Sequence, residues 1–153
     1  MKNNWLLNTV VFLIIAILGV IGYKLAPLLQ PNADLTLPTS FCNPGLTVCA
    51  SSLPGGGQLE FSITPQPIRP LQTLNLDVKL NQLKADRIEI DFDGTQMKMG
   101  YNRSALSGSN GHFIGQAMLP VCITGSMEWA ATVIVITDNR RIAIPFHFEV
   151  AGR

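Results

Sequence analysis

The sequence is poor in charged residues and in histidine, and it has no run of charge of one sign. Lys, Arg, Asp and Glu make up 14% of the chain, with 11 basic residues against 10 acidic ones, and there are two histidines. Proteins that bind nucleic acid carry a basic patch or stripe, and none is present here. Nucleic acid is therefore excluded as an expected partner.

The sequence motifs of common enzyme classes are also missing. The chain has no Gly-x-Ser-x-Gly elbow, no His-Glu-x-x-His pair, no P-loop and no Gly-x-Gly-x-x-Gly turn. Asp91 and Asp93 flank Phe92 on the outward face of a predicted strand, where a solvated surface is favoured over an acid–base pair. We predict that the protein is not an enzyme, and thiol chemistry at Cys122 is the one catalytic route left open.

Cysteine is scarce, and no Cys-x-x-Cys pair is present. In an exported domain disulfides persist, and Cys42 with Cys49 is the most local candidate pair, with a stabilisation of about 2–3 kcal/mol. The alternative pairings, of either residue with Cys122, would join this stretch to the sheet. Each pairing leaves one cysteine, which is either a buried, inert thiol or a metal or redox thiol.

One long hydrophobic run, Trp5–Tyr23, contains no charged residue. As a helix it would span roughly 28 Å, close to the thickness of a bilayer core. Trp5 and Tyr23 bracket the run as interfacial aromatic residues do. The following segment, 24–31, has no good signal-peptidase site and no cysteine placed for lipidation, so a retained anchor is favoured over a cleaved signal peptide. We predict a single transmembrane helix at residues 5–23.

The anchor determines the expected location of the rest of the chain. Lys2 and the N-terminal amine lie on one side and Lys24 on the other, which gives a small bias toward a cytoplasmic N-terminus. We expect a single-pass protein of a bacterial inner membrane, with residues 1–4 in the cytoplasm and the long C-terminal part in the periplasm. The expected partners are the membrane and an integral membrane protein complex.

Residues 24–57 and 58–153 differ in pattern. The first stretch is rich in Pro, Gly, Ser and Thr and has no helical periodicity, which predicts a stalk followed by a loop that packs on the domain. Its apolar cluster Leu35-Leu37-Phe41 is a candidate to lie along a sheet. From residue 58 onward, apolar and polar residues alternate, which predicts half-buried strands. The predicted strands are 58–63, 74–80, 87–92, 96–101, 113–119, 127–137 and 142–150.

The residues between these strands predict short connections. Ser104–Gly111 is interpreted as a Gly/Ser loop, and Pro145 places the last strand at an edge or interrupts it. About seven strands and no further helix predict an all-β domain over residues 58–153. We expect an antiparallel sandwich of immunoglobulin-like or cupredoxin-like type, with Trp129 at the centre of its core.

The methionines other than the initiator are clustered in one region of the chain. They are Met97, Met99, Met118 and Met127. A strand over 96–101 would place Met97 and Met99 on one face, and soft thioether sulfurs suit Cu(I). Met127, Cys122 and His112 are near enough in sequence to join them if the strands are neighbours. The alternative is that these methionines fill the core, because ligands and core residues require the same alternation.

Several short motifs follow the N-terminal helix in a fixed order. A proline-bearing entry, Pro65–Pro70, leads into the strand LNLDVKL, and a Met-x-Met-Gly segment follows at Met97–Gly100. A Gly-x-Phe-x-Gly strand at Gly111–Gly115 and a Gly-x-Met-x-Trp strand at Gly125–Trp129 come next. In this order of features, the chain from about Phe61 to Val150 resembles the FixH/YtkA-like family of membrane-anchored β-sandwich proteins.

The resemblance implies an accessory factor for copper supply or haem-copper oxidase assembly. It implies copper positions at Met97 and Met99, with Met127 as a further position. The chain departs from the family pattern in Phe41–Ala50 and at Cys122, which are either an added disulfide or extra ligands.

Two functional hypotheses follow. The first is a periplasmic, membrane-tethered accessory protein that assists assembly or metallation of a membrane complex, with Cu(I) as its candidate ligand at Met97, Met99, Met127 and Cys122. The second is a metal-free structural or interaction module of such a complex, which makes contact through an edge strand or the Pro/Gly loop.

Overall fold

The structure is a computed structural model that describes residues 4–25, 34–40, 42–120, 125–138 and 140–150. Within the helix, side chains are described from residue 8 to residue 23. The chain divides into two compact units, 1–32 and 33–153. The first unit holds helix α1, Asn4–Leu25, which covers the hydrophobic run. Among the described residues, no helix is long and apolar enough to cross a membrane. The membrane anchor stays a prediction from the sequence.

The second unit is built from β-strands. In chain order they are β1 Leu35–Thr36, β2 Cys49–Ser52, β3 Gln58–Thr64, β4 Thr73–Asn81, β5 Arg87–Gly94, β6 Arg103–Ser109, β7 His112–Met118, β8 Met127–Ile136 and β9 Arg141–Val150. They form one sheet in the order β1-β9-β8-β5-β6-β7-β4-β3-β2. Only β1 and β9 pair in parallel, and the other neighbours are antiparallel. The prediction of a mostly β domain is confirmed.

The sheet is continuous because β6 pairs with a strand of each half, β5 and β7. Its first part pairs with β5 and its last part, Ser107–Ser109, pairs with β7. The sheet therefore curls on itself, and its buried faces meet where the rings of Phe61 and Phe146 lie 5.4 Å apart. Trp129 is 1% exposed and lies in the core, as predicted. The nine-stranded, curled mixed sheet differs from the expected seven-stranded antiparallel sandwich because β6 joins the two halves and β1 adds a parallel edge.

Two predictions between β5 and β7 are wrong. Residues 96–101 form an irregular loop, and the stretch 104–111 that was expected to be a loop contains most of β6. Asn110 and Gly111, with φ of 54° and 80°, form the two-residue turn between β6 and β7. Asn-Gly is the strongest short hairpin signal, because both central residues of such a turn need positive φ. This signal outweighs the Gly and Ser content around it.

The stretch that was predicted to be a stalk and loop contributes to the sheet. β1 pairs with the start of β9, and β2 pairs with β3 along its whole length. Leu37 and Ser40 donate backbone hydrogen bonds to the carbonyls of Ala143 and Pro145. The second compact unit, 33–153, includes this stretch. Leu35 and Leu37 lie along the sheet as expected, and Phe41 lies outside the described residues.

The strand directions give the second unit two distinct ends. The chain enters beside Arg141, whose backbone N–H donates to the Asp34 carboxylate at 2.8 Å. At this entry end lie the starts of β1 and β9, the connections 53–57, 82–86 and 110–111, and the described parts of 137–140. At the opposite end, called the far end below, lie the connections 42–48, 65–72 and 95–102 and the described parts of 119–126.

Candidate functional site

Residues 95–102, the methionine loop, are tied to the far end by polar contacts. The Asp93 carboxylate accepts hydrogen bonds from the backbone N–H groups of Gly94 (3.0 Å) and Met99 (3.1 Å). Thr95 donates its backbone N–H to the Glu128 carbonyl and its hydroxyl to the Glu128 carboxylate at 2.8 Å. These bonds turn the chain away from β5, which is why the alternation at 96–101 does not become a strand.

The loop brings two of the predicted methionines together. Met127 is buried, and a Cβ built on Gly94 would overlap its terminal methyl group and lie against the side chain of Met99. Met99 is partly buried against the core, while Met97 is 54% exposed. Met99 and Met127 therefore converge at Gly94, with the more exposed Met97 in the same loop. The prediction that Met97 and Met99 share one strand face is wrong, because residues 96–101 are not a strand.

The remaining predicted sulfur and histidine positions are distributed differently. Cys122 lies outside the described residues. His112 begins β7 at the entry end, where its ring nitrogen lies 3.0 Å from the Asp77 carboxylate. It is therefore at the other end of the sheet from Met99 and Met127. His147 lies partly exposed on the outward side of β9.

Residues 42–49, the disulfide loop, form a closed turn at the far end. The sulfur atoms of Cys42 and Cys49 lie at disulfide distance, 2.04 Å, with 5.6 Å between the Cα atoms. This pair is the local one favoured by the sequence. The Asn43 carboxamide accepts from the Gly45 N–H at 2.8 Å, and Ile63 donates to the Pro44 carbonyl. The loop is thus closed at its base and docked on β3.

A polar cleft of about 490 Å³ lies between the two loops and the ends of β8 and β9. Its lining includes Asn43, Gln96, Glu128, His147 and Glu149. Glu128 and Glu149 are directly opposite each other on the paired strands. The His147 ring nitrogen lies 3.4 Å from the Glu128 carboxylate. No sequence motif marks this cleft, because its residues come from four separate stretches of sequence.

A second polar cluster lies on the outward face of β5 and β6. Glu89 is nearly buried between Arg87, at 2.8 Å, and Arg103, at 3.4 Å, and Arg103 also binds Asp91 at 3.1 Å. Partial burial opposes the charge of Arg103, but its hydrogen bond to Asp91 and the nearby negative charges raise the pKa of its guanidinium overall. Asp91 was predicted to lie on a solvated face, and it is instead half-buried in an ion-pair network that stabilises the sheet.

Exposed large hydrophobic side chains of the second unit concentrate at the far end. Among its described residues they are Leu46, Val48, Leu71, Met97, Tyr101 and Met118 there, against Leu35 and Ile114 elsewhere. Hydrogen bonds join these connections, because the Asn102 side chain donates to the Met118 carbonyl and Leu71 donates its N–H to the Leu119 carbonyl.

Models of protein families, curated proteins and solved structures give no match to this chain. In the described part of the chain, no group of three or more His, Cys, Asp or Glu side chains is arranged to hold a metal ion.

Proposed function

We propose that this chain is a membrane-tethered periplasmic accessory protein that assists assembly or metallation of a haem-copper oxidase-like membrane complex. The proposal takes Cu(I) as the ligand of the methionine cluster and residues 5–23 as the tether in a bacterial inner membrane. It takes the curled sheet as a variant of the immunoglobulin-like or cupredoxin-like sandwich. The observation that carries it is the convergence of Met99 and Met127 at Gly94, the last residue of β5, where the loop that also bears Met97 begins.

The donor set fits Cu(I). Thioether sulfur is soft and uncharged, and such ligands select Cu(I) over the harder divalent ions. Met97 is exposed enough to meet an incoming ion, while Met99 and Met127 lie deeper at the same loop. Cys122 is kept as a further candidate ligand. Bound Cu(I) would supply a carrier function, in which the ion is held until a membrane complex receives it.

A Cu(I) titration of the intact chain in detergent, under reducing conditions and against a competing chelator, tests the proposal. We expect tight binding of one ion, which the double variant Met97→Leu plus Met99→Leu abolishes, because leucine conserves the volume while removing the sulfur. Met118→Leu is the matched control, since Met118 is similarly exposed but belongs to β7. No binding above the chelator background, or full binding by the double variant, would contradict the copper proposal.

A second candidate function is a metal-free interaction module of the same kind of complex. It is favoured by the concentration of exposed hydrophobic side chains in the far-end connections. In this case the methionines belong to the core and its rim, and the far end binds a protein partner. The copper titration separates the two candidates, because only the first requires the thioether sulfurs.

A further inference from the structure

The connections at the far end carry charge of one sign. In the sequence, these four connections contain two charged residues, Arg69 and Lys98, and both are basic. The count includes residues 121–124, which read Val-Cys-Ile-Thr and add no charge. Both basic side chains are exposed. The connections at the entry end contain two basic and two acidic residues, so a purely positive set of connections distinguishes the far end.

A strip of exposed apolar side chains joins the connections that carry this charge. Its members are Leu71, Met118 and Tyr101, called the apolar strip below. Met118, the last residue of β7, pairs with Thr73 at the start of β4. The Asn102 side chain donates a hydrogen bond to the Met118 carbonyl. The strip therefore runs from the connection 65–72, across the end of β7, to the methionine loop.

Leu71 has a backbone conformation that leucine rarely adopts. Its φ is 57°, in the left-handed region, and the residue is 58% exposed. This region disfavours any residue with a bulky side chain, and Gly or Asn is usual there. Because more than half of the side chain stays in water, burial within the unit does not explain why leucine stands at this position. Backbone strain of this kind concentrates where ligands bind.

Tyr101 is exposed and yet held in place. The Arg103 guanidinium carbon lies 5.5 Å from the centroid of its ring, while the residue is 84% exposed. Arg103 is itself fixed by ion pairs with Asp91 and Glu89. An aromatic ring that is already ordered loses little side-chain entropy when a partner covers it, so its contact area is retained as affinity. Tyr and Met are also enriched in protein interfaces relative to the rest of the surface.

The carboxylates at the far end belong to other features. Asp93 accepts hydrogen bonds within the methionine loop, and Glu128 accepts one from the same loop. Glu128 and Glu149 line the polar cleft at the ends of β8 and β9, whereas the apolar strip crosses the end of β7. The charges in the connections that the strip joins, Arg69 and Lys98, therefore complement a negatively charged partner.

We propose that the apolar strip binds a segment of a partner protein in which apolar side chains are flanked by Asp or Glu. The apolar side chains of the segment cover the strip, and its carboxylates pair with Arg69 and Lys98. Opposite charges accelerate the encounter, and the covered aromatic ring supplies affinity. The inference rests on the second candidate function, for which it names the chemistry of the partner, and it requires no metal.

A phage library of random peptides supplies the probe. It is selected on the intact chain in detergent and counter-selected on the Leu71→Asn variant. We expect enrichment of peptides in which Asp or Glu lies next to Leu, Ile or Phe. The affinity of the best peptide is measured by fluorescence anisotropy, beside an analogue in which Asn and Gln replace Asp and Glu. We expect the neutral analogue and high salt each to weaken binding at least about tenfold.

Variants of the chain test the surface itself. Leu71→Asn should weaken the peptide about tenfold and leave the melting temperature equal or higher, because asparagine adopts the left-handed backbone more readily than leucine. Lys98→Gln should weaken it by a similar factor. The matched controls are Ile114→Thr, an exposed apolar residue in the middle of β7, and Lys84→Gln, an exposed lysine at the entry end. Both controls should leave the affinity unchanged.

Three results would overturn the proposal. The first is a neutral analogue that binds as well as its acidic parent, which would leave the interaction module in place but remove the acidic partner. The second is equal weakening by the controls and by Leu71→Asn and Lys98→Gln. The third is binding of phosphatidylglycerol in mixed micelles that requires Leu71 and Lys98 when no acidic peptide class is enriched, which would assign the strip to a lipid surface. If neither peptides nor lipid require Leu71, the interaction module at the far end is contradicted as well.

Discussion

At the scale of single residues, the turn between β6 and β7 depends on glycine. Gly111 has φ of 80°, and a Cβ at this position would meet the Leu80 carbonyl, which belongs to the neighbouring β4. The Gly111 carbonyl also accepts the Leu80 N–H at 2.7 Å. The residue therefore combines a left-handed backbone with close packing against another strand, and both features disfavour any side chain.

Gly111→Ala should lower the free energy of unfolding by about 1–3 kcal/mol, because the left-handed backbone and the overlap with Leu80 both oppose the new methyl group. Chemical denaturation of the intact chain in detergent, followed by the fluorescence of Trp129, measures the change. Ser109→Ala, an exposed neighbour on β6, is the control and should shift stability by less than about 0.5 kcal/mol. Equal stability of Gly111→Ala and the parent chain would show that the turn adopts another conformation.

The pair Cys42–Cys49 closes a short loop of sequence separation 7. Replacing both with alanine should lower the free energy of unfolding by about 2–3 kcal/mol, mainly because the unfolded chain regains the freedom that the loop closure removes. Comparison of denaturation with and without a reducing agent gives the same quantity on the unchanged sequence. A thiol count on the denatured, unreduced chain should find a single free thiol, and alkylation with peptide mapping should place it at Cys122; three free thiols, or a free thiol at Cys42 or Cys49, would contradict this pairing.

At the scale of elements, the methionine loop illustrates how a few polar contacts redirect a chain. Its sequence alternates as a strand would, but one carboxylate, Asp93, fixes the N–H groups at both ends of a turn. Thr95 then attaches the turn to β8 through three hydrogen bonds to Glu128. The loop places Met99 on the core and leaves Met97 at the surface, which is the arrangement that the proposed copper site requires.

Asp93→Ala should lower the free energy of unfolding by about 1–2 kcal/mol, since the Gly94 and Met99 N–H groups lose their acceptor. It should also weaken Cu(I) binding, because the loop no longer holds Met99 beside Met127. Asp93→Asn keeps an acceptor oxygen and is the matched control, with a smaller loss in both measurements. Denaturation measures the loss of stability, and the chelator competition measures the Cu(I) affinity. An unchanged Cu(I) affinity in Asp93→Ala would show that Cu(I) binding does not depend on the loop conformation that Asp93 stabilises.

The edge strands are elements of a different kind. β1 and β2 have two and four residues and carry no charge, and each is held by its neighbour rather than by its own pattern. β1 pairs with β9 at Ile142 and Ala143, and Ser40 adds one further bridge to Phe146.

At the scale of the whole molecule, the two ends of the second unit differ in their exposed side chains. The chain enters it at one end, where the connections are polar or charged, and the exposed apolar side chains cluster at the other. The methionine loop and the disulfide loop both belong to the far end.

Deletion of residues 1–23 should release the chain from the membrane, because these residues contain the only long uncharged apolar run in the sequence. The parent chain, expressed in a Gram-negative bacterium, should stay with the membrane pellet after alkaline carbonate extraction, while the shortened chain should be recovered in the supernatant. Protease added to spheroplasts should cut the domain of the parent chain if it lies in the periplasm. Protection of the domain under these conditions would contradict the proposed orientation. Recovery of the parent chain in the supernatant would contradict the prediction of a membrane anchor.

The sequence by itself determined the features that depend on local alternation and on local apolar length. The helix at residues 5–23 and the strands β3, β4, β5, β7, β8 and β9 lie where the patterns predicted them, within a few residues. Alternation is decisive there because successive side chains of a strand point to opposite faces and one face is buried. The buried row Trp129, Ala131, Val133 and Val135 follows directly from this rule. The local cysteine pair was likewise favoured by its spacing.

Only the tertiary structure decided the features that depend on partners distant in sequence. β1 and β2 have no pattern of their own and become strands because β9 and β3 lie beside them. The alternation of 96–101 is overridden by hydrogen bonds to Asp93 and Glu128, and β6 is divided between two ladders because the sheet curls around a common core. The convergence of Met99 with Met127 and the cleft beside Glu149 also depend on contacts between residues that are distant in sequence. Contacts between separate strands depend on how the chain returns, and no local period of the sequence encodes that return.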